Sequence, residues 1–290
     1  MPNILGTGLS GLIGSRLNQL LTQYHFVDLS LDTGYDLLNR DQITTACNRY
    51  AGSVILHLAA FTDTTAAHDQ RGDKSGLCYR LNVEGTRNVL DLCLTKQKYL
   101  VYISTDFVFD GTKRGSYTEA DTPNPIDWYG QTKYEAEKLI LDSGIPAVII
   151  RIAFPYRARF LPKSDIVRKI IDKISHGSQV QLFTDQVTTP TFIDDIVYGL
   201  DYFIQHQPVG VYHLVASSSQ SVYAMGREIA QIFGYDLNLI QPSLLADYLN
   251  TPDSRPWAKN LALDNQKVTS LGIKMSTLPA GLKEMKRQLS

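Results

Sequence analysis

Along the first half of the chain, short apolar runs alternate with longer stretches whose apolar residues recur at helical spacing. Ile4-Leu5-Gly6-Thr7 predicts a short strand, and Leu12, Ile13, Leu17, Leu20 and Leu21 then form the stripe of an amphipathic helix. A second strand is expected from Phe26 to Leu31, followed by a helix with Ile43, Ala46, Cys47 and Tyr50 on its buried face. Val54 to Ala60 is almost continuously apolar, the pattern of a parallel strand covered on both faces. Phe61 to Gly76 reads as a polar, glycine-punctuated loop. A third helix is expected from Leu77 to Lys96, with Leu81, Leu90, Leu92 and Cys93 inward. Asn82 and Asn88 interrupt it, as asparagines do when they satisfy the backbone of a neighbouring loop. Tyr99 to Ile103 forms the fourth strand, Trp128 to a C-cap near Gly144 the next helix, and Ala147 to Ile152 a further strand. This strand–helix alternation predicts an α/β fold with a doubly wound parallel sheet.

Beyond Ile152 the rhythm changes. Asp165 to Ser175 reads as a helix, Val180 to Phe183 as a strand, and Thr189-Pro190-Thr191 as the start of a helix reaching about Gln205. Val211 to Val215 looks like a last sheet strand and Val222 to Phe233 like a helix. The remainder, carrying Pro242, Pro252, Pro256 and Pro279, is expected to be loop-rich.

Composition narrows the function classes. The 290 residues can bury a full core, and 43% hydrophobic and 20% charged residues are ordinary for a globular protein. A formal net charge of −1 gives no global field for a nucleic-acid polymer or an anionic membrane. No run approaches the ~20 apolar residues of a membrane span, and no basic, apolar leader opens the chain. Cys47, Cys78 and Cys93 form no CxxC and suit a reducing compartment, so a cytoplasmic location is expected. The six histidines show no metal-binding spacing, and no metal is expected.

Gly8, Gly11 and Gly14 stand at G-x-x-G-x-x-G spacing between the first strand and first helix. Such a turn, here Gly8-Leu9-Ser10-Gly11-Leu12-Ile13-Gly14, lets backbone approach a pyrophosphate at the helix start. Glycine also suits any tight strand-to-helix turn. Asp32, roughly 20 residues past the loop, is the candidate acid for the adenosine ribose, although a plain loop aspartate fits as well. No arginine follows to receive a 2′-phosphate, which favours NAD over NADP. Asp36 and Leu37 either border the adenine or enter the second helix. Ala59 and Ala60 leave room for a cofactor's backbone, and His57 is read as a hydrogen-bonded core residue.

Ser104 and Thr105 end a central strand, where ligands of open α/β sheets bind, or cap local backbone. In Tyr129-Gly130-Gln131-Thr132-Lys133, a helix would place phenol and ammonium on one face. A nearby ammonium favours the phenolate, and the pair could exchange a proton with a carbonyl or alcohol oxygen. Alone, the same spacing also describes a solvated surface pair.

Taken in order, Thr7-Gly8-x-x-Gly11-x-x-Gly14, His57-Leu58-Ala59-Ala60, Asn82 with Gly85-Thr86-Arg87-Asn88, Ser104-Thr105-Asp106 and Tyr129-x-x-x-Lys133 resemble the extended short-chain dehydrogenases/reductases. Ser104-Thr105-Asp106-Phe107-Val108-Phe109-Asp110-Gly111, Tyr117-x-Glu119, Pro125-x-x-x-Tyr129-Gly130, Arg255-Pro256, Leu263-Asp264 with Lys267 and Pro279-x-x-Gly281-Leu282 narrow the resemblance to dTDP-4-dehydrorhamnose reductases. The resemblance implies a Rossmann-type dinucleotide-binding domain over residues 1–155, with 186–216 packing on it. Residues 156–185 and 217–290 would form a smaller substrate-binding lobe over the crevice. It further implies NAD or NADP held by Gly8, Ser10, Gly11, Leu12, Ile13, Gly14, Asp32, Asp36, Leu37, Leu58, Ala59, Ala60, Asn82, Tyr129 and Lys133. The substrate would be a nucleotide-linked 4-keto-6-deoxy sugar touching Thr62, Ser104, Asp106, Phe107, Phe154 and Arg255.

In the implied reaction Tyr129 protonates the developing alkoxide, Lys133 lowers the tyrosine pKa and holds the nicotinamide ribose, and Thr105 hydrogen-bonds the carbonyl oxygen. Three departures fall on the substrate side: Thr65 and His68 stand where an acid pair is usual, 69–76 looks like extra length, and Phe154-Pro155-Tyr156 replaces a Val-Tyr-Gly-like turn. A 4,6-dehydratase is disfavoured because Phe107, not a second carboxylate, follows Asp106. A nucleotide-sugar 4-epimerase and a regulatory subunit like the β subunit of methionine adenosyltransferase share the resemblance. A homodimer is compatible with it.

Overall fold

The computed structural model describes residues 1–160, 162–251 and 254–290, so that Pro252 lies outside the described residues. The elements begin with β1 (Asn3–Thr7), α1 (Gly14–Leu20), β2 (His25–Asp28), α2 (Arg40–Arg49), β3 (Val54–His57) and α3 (Thr64–Asp69). Next come α4 (Leu77–Tyr79), a π-helical segment (Arg80–Glu84), α5 (Gly85–Lys96), β4 (Tyr99–Thr105), α6 (Trp128–Asp142) and β5 (Ala147–Ile152). They are followed by β6 (Pro155–Tyr156), α7 (Ile166–Ser175), β7 (Val180–Phe183), β8 (Val187–Thr188), β9 (Thr191–Phe192), α8 (Ile193–His206) and β10 (Gly210–His213). The chain closes with β11 (Gln220–Ser221), α9 (Val222–Phe233), β12 (Ile240–Ser243), α10 (Leu245–Leu249), α11 (Gln266–Ser270) and α12 (Leu278–Leu289).

Six strands form one sheet in the order β10-β5-β4-β3-β1-β2, and β1 pairs in parallel with both β2 and β3, as β3 does with β4. Every residue of β3, β4 and β5 is buried, which accounts for their continuous apolar runs. The chain steps from β1 outward to β2, then returns past β1 to β3. The carboxyl ends of β1 and β3 therefore flank the point where strand order reverses, the ligand crevice of doubly wound sheets.

Two compact units divide the chain: Met1–Val108, Asp127–Arg151 and Val197–Tyr212 in the first, Phe109–Ile126, Ile152–Ile196 and His213–Ser290 in the second. Residues 109–126, placed in the nucleotide domain by the sequence, thus group with the second unit. The first core gathers Leu5, Ile55, Leu100, Tyr102 and Ile149 of the sheet with Ile43, Leu90, Ala136 and Ile140 of its helices. The second gathers Val167, Ile170 and Ile174 of α7, Met225 and Ile229 of α9, and Leu278, Leu282 and Met285 of α12. Each fully buried aliphatic side chain of this kind contributes about 1.5–3 kcal/mol.

Several boundaries differ from expectation. Strand β2 stops at Asp28, because Ser30 takes the N-cap position of a 3₁₀ turn (Leu31–Thr33) that Gly34 closes at φ +85°. Within the expected 61–76 loop, Asp63 Oδ1 accepts from Thr65 N and Ala66 N, both at 3.0 Å, and starts α3. The expected Leu77–Lys96 helix is interrupted at Asn82 by the π turn. Helix α8 begins at Ile193 because Thr191 and Phe192 first pair with β6. The last strand of the main sheet ends at His213. The C-terminal stretch, expected to be loop-rich, contains β12, paired in parallel with β7, and three helices. Among the described residues no helix is long and apolar enough to cross a membrane.

Candidate active site

Helix α6 starts against the turn that follows β4. Asp127 caps it, Oδ1 accepting from Gly130 N at 2.7 Å. A Cβ on Gly130 would collide with the Phe107 carbonyl oxygen, so the glycine lets the first helical turn seat directly on that turn. Tyr129 is thereby brought beside Phe107, whose ring it meets edge-on at 5.7 Å, and within hydrogen-bonding influence of the Thr105 hydroxyl. Thr105 Oγ1 donates to Asp106 Oδ1 at 2.9 Å and accepts from Phe107 N at 3.3 Å.

The electrostatics of this corner are dominated by burial. Burial holds the Tyr129 phenol well above its ordinary range, the Asp106 charge adds to the effect, and the Thr105 hydrogen bond opposes it. The influences that raise the tyrosine outweigh any lowering by Lys133. Lys133 Nζ donates to Ile103 O at 2.7 Å and lies 4.1 Å from the Tyr102 ring centroid. Burial brings Lys133 itself down to about 7, against the stabilising charge of Glu137. Asp106 is pushed up to about 7 by burial, with hydrogen bonds from Thr105 and local backbone resisting and the Asp127 charge assisting. Tyr129 therefore keeps its proton near neutrality.

The glycine turn lies at the strand-order reversal. Gly8 has φ +69°, and a Cβ there would sit 2.7 Å from Ala59 N. At Gly14 a Cβ would run into Leu9 Cα and lie 2.7 Å from Gly8 O, whereas at Gly11 it would meet only Gly8 O at 3.1 Å. Two glycines thus pack the turn against itself and against the Leu58-Ala59 segment that follows β3, and the third leaves backbone open to an approaching group. That is the cradle a pyrophosphate requires. Ser10 is exposed, and Leu12, Ile13, Leu58, Ala59 and Ala60 are partly exposed around it. Asp32 is exposed on the 3₁₀ turn beyond β2. Asp28, at the end of β2, was missed. Its Oδ2 accepts from Ser30 Oγ at 2.9 Å, while its buried Oδ1 has no hydrogen-bond partner among the described residues. Counting roughly 20 residues from Gly8 rather than from the end of the loop would have found it.

Asp36 and Leu37 occupy the entry to α2: Asp36 Oδ1 accepts from Leu38 N at 2.9 Å, and Leu37 packs into the core. Asn82, expected at the cofactor, is 1% exposed and bound internally. Its Oδ1 accepts from Phe61 N at 2.7 Å, and its Nδ2 donates to Thr132 Oγ1 at 2.9 Å. Thr132 Oγ1 in turn donates to Tyr129 O at 2.8 Å, so Asn82 braces the helix that carries the tyrosine. His57 is fully buried, with Nδ1 2.7 Å from Thr7 Oγ1 and Nε2 2.9 Å from Thr86 Oγ1.

The expected substrate residues fall in both units. Thr62 is exposed just before α3, while Ser104 and Asp106 are 2% and 1% exposed beside Thr105. Phe154 and Arg255 belong to the second unit, Phe154 at φ +41° and the Arg255 guanidinium 4.1 Å from the Trp257 ring centroid. Among the described residues no cluster of three or more His, Cys, Asp or Glu could hold a metal ion.

Residues 2–290 match the model of the RmlD substrate binding domain family. The dTDP-4-dehydrorhamnose reductase of Aggregatibacter actinomycetemcomitans is 27% identical over 300 residues, covering 99% of this chain and 99% of that protein. Methionine adenosyltransferase 2 subunit beta of Mus musculus is 27% identical over 296 residues, covering 97% and 86%. A crystal structure of dTDP-4-dehydrorhamnose reductase from Bacillus anthracis in complex with NADP superposes with a TM-score of 0.89 at 23% identity, over 99% of this chain and 100% of that one. The chain belongs to the RmlD substrate binding domain family.

Proposed function

We propose, from that membership and from the grouping of Thr105 and Tyr129 at the end of β4, that the chain is a nicotinamide-dependent reductase of a nucleotide-linked 4-keto-6-deoxy sugar. The observation that carries the reading is the Tyr129 phenol, kept protonated by burial, beside the Thr105 hydroxyl at the end of β4. Reduction of a keto group needs a proton delivered to its oxygen there.

When bound, the dinucleotide supplies the hydride. Gly8, Gly11 and Gly14 would hold its pyrophosphate, and Asp28 the adenosine ribose. A carboxylate at that strand end repels a 2′-phosphate and supports NAD over NADP, although the Bacillus anthracis protein was solved with NADP. Lys133, on the same helical face as Tyr129, would hold the nicotinamide ribose. Thr105 would donate to the keto oxygen and stabilise the charge that develops on it. Tyr129 would then deliver its proton to that oxygen and complete the alcohol. Three buried thiols, none in a disulfide, support a reducing, cytoplasmic setting.

The test is NADH and NADPH oxidation against a panel of nucleotide-linked 4-keto sugars. Stoichiometric oxidation with formation of the 4-hydroxy sugar is expected. Interconversion of 4-hydroxy epimers by an enzyme that co-purifies with its cofactor and ignores external NADH would replace this reading with a 4-epimerase. No turnover on any sugar, together with a co-purifying second chain, would replace it with a regulatory subunit.

A further inference from the structure

Thr105 must donate its hydroxyl hydrogen outward if it is to polarise a keto oxygen, yet that hydrogen is directed to Asp106 Oδ1 at 2.9 Å. A hydroxyl has one hydrogen to give. While Asp106 is ionised it can only accept, and it holds the Thr105 hydrogen. We propose that Asp106 is a positioning residue whose own protonation reverses this hydrogen bond and releases Thr105 to donate to the substrate.

The balance is simple. On protonation the Asp106 carboxyl becomes the donor, O–H to Thr105 Oγ1, and the threonine hydrogen rotates to the outward acceptor. On loss of that proton the direction reverts and the Thr105 hydrogen returns to the carboxylate. No bond other than the carboxyl O–H forms or breaks, and the proton comes from solvent. The geometry suits a two-position switch. Both residues are almost fully buried at the end of β4, and Asp106 Oδ2 is buried with no hydrogen-bond partner among the described residues. The titratable groups with the largest effect on the carboxyl and on Tyr129 include Asp127 at the start of α6 and, for the tyrosine, Asp106 and Cys78. None of them offers a positive charge to Asp106, and Lys133 is engaged with Ile103. Burial and the Asp127 charge place the changeover of Asp106 at about 7, where a small change in pH shifts the population.

The inference rests on the reductase reading, and two readouts separate them. The first is the pH profile of kcat for keto-sugar reduction. Wild type should lose activity through an alkaline limb. Asp106→Asn, whose amide donates to Thr105 Oγ1 at every pH, should stay active and lose that limb. Thr105→Val should be slow, with Asp106→Asn adding nothing in the double variant. The second readout needs no substrate. The infrared carbonyl band of a protonated carboxyl should titrate near neutrality in wild type, be absent from Asp106→Asn, and shift in Thr105→Val. An unchanged alkaline limb in Asp106→Asn, or a carboxyl that titrates in the ordinary acidic range, would overturn the switch. A wild-type protein that reduces no sugar would overturn the reductase reading alone, and the infrared titration would still decide the carboxyl.

Discussion

Arg151 grips Glu137 through two parallel hydrogen bonds, Nε to Oε1 at 3.0 Å and Nη2 to Oε2 at 2.6 Å, with both side chains withdrawn from solvent. Glu137 lies one helical turn from Lys133 and supports its charge against burial. Glu137→Gln leaves the guanidinium buried without its counter-charge, and removing one partner of such a pair costs roughly 3–5 kcal/mol. The variant should show that loss in urea denaturation, and Lys133 should release its proton at lower pH. A stability change below about 1 kcal/mol would mean that water reaches Arg151.

Tyr129→Phe should lower kcat by roughly 10²- to 10⁴-fold, the usual worth of a positioned acid. The ring contact with Phe107 survives the substitution, so the melting temperature and dinucleotide affinity should stay close to wild type. A purified variant with full turnover would remove the tyrosine from the mechanism.

His57 sets up a pH dependence of stability. The Thr86 hydroxyl donates to Asn82 O at 2.6 Å, so Thr86 Oγ1 must accept from His57 Nε2–H. Nδ1 is then an acceptor for Thr7, and the imidazole is neutral. Burial, with the Lys133 charge second, lowers its pKa from 6.5 to about 3. Between those values the unfolded chain binds the extra proton, so this residue's contribution weakens as pH falls through that window, by about 1.4 kcal/mol per pKa unit. Asp106, raised from 3.8 to about 7, tilts the curve the opposite way. His57→Gln, which keeps one donor and one acceptor without titrating, should remove only the histidine slope in denaturation curves at pH 4.5 and 7.5. Parallel pH curves for variant and wild type would show that the ring titrates in the folded state as it does in the unfolded chain.

The parts of this architecture that follow from local chemistry are legible in the sequence. Tyr99 to Ile103 reads as a buried strand because every position is apolar, and Val222–Phe233 has both a serine cap and a closing glycine. Leu29 and Leu31 misled for the opposite reason: their alternation looks like strand, but Ser30 and Gly34 between and beyond them favour a turn. The π turn at Asn82 is set by Thr132 and Phe61, fifty and twenty-one positions away, which no local pattern encodes. The tyrosine and lysine were found by spacing, whereas the upward shift of the phenol depends on Asp106 and burial, which arise only when β4 and α6 meet.

Gly11 and Gly14 separate what the glycine turn does for folding from what it does for binding. At Gly14 an added methyl faces backbone atoms of Leu9 and Gly8 that cannot rotate away, and overpacking of this kind costs typically 1–3 kcal/mol. Gly14→Ala should therefore melt at a lower temperature whether or not nucleotide is present. At Gly11 the methyl approaches only Gly8 O, at 3.1 Å, and backbone φ there is not left-handed. Gly11→Ala should melt close to wild type, within about 0.5 kcal/mol. Its methyl would stand on the open side of the turn, where a pyrophosphate needs bare backbone. Fluorescence titration with NADH should show affinity reduced at least about tenfold, the equivalent of about 1.4 kcal/mol. A Gly11→Ala protein that binds NADH as wild type does would move the pyrophosphate away from this turn.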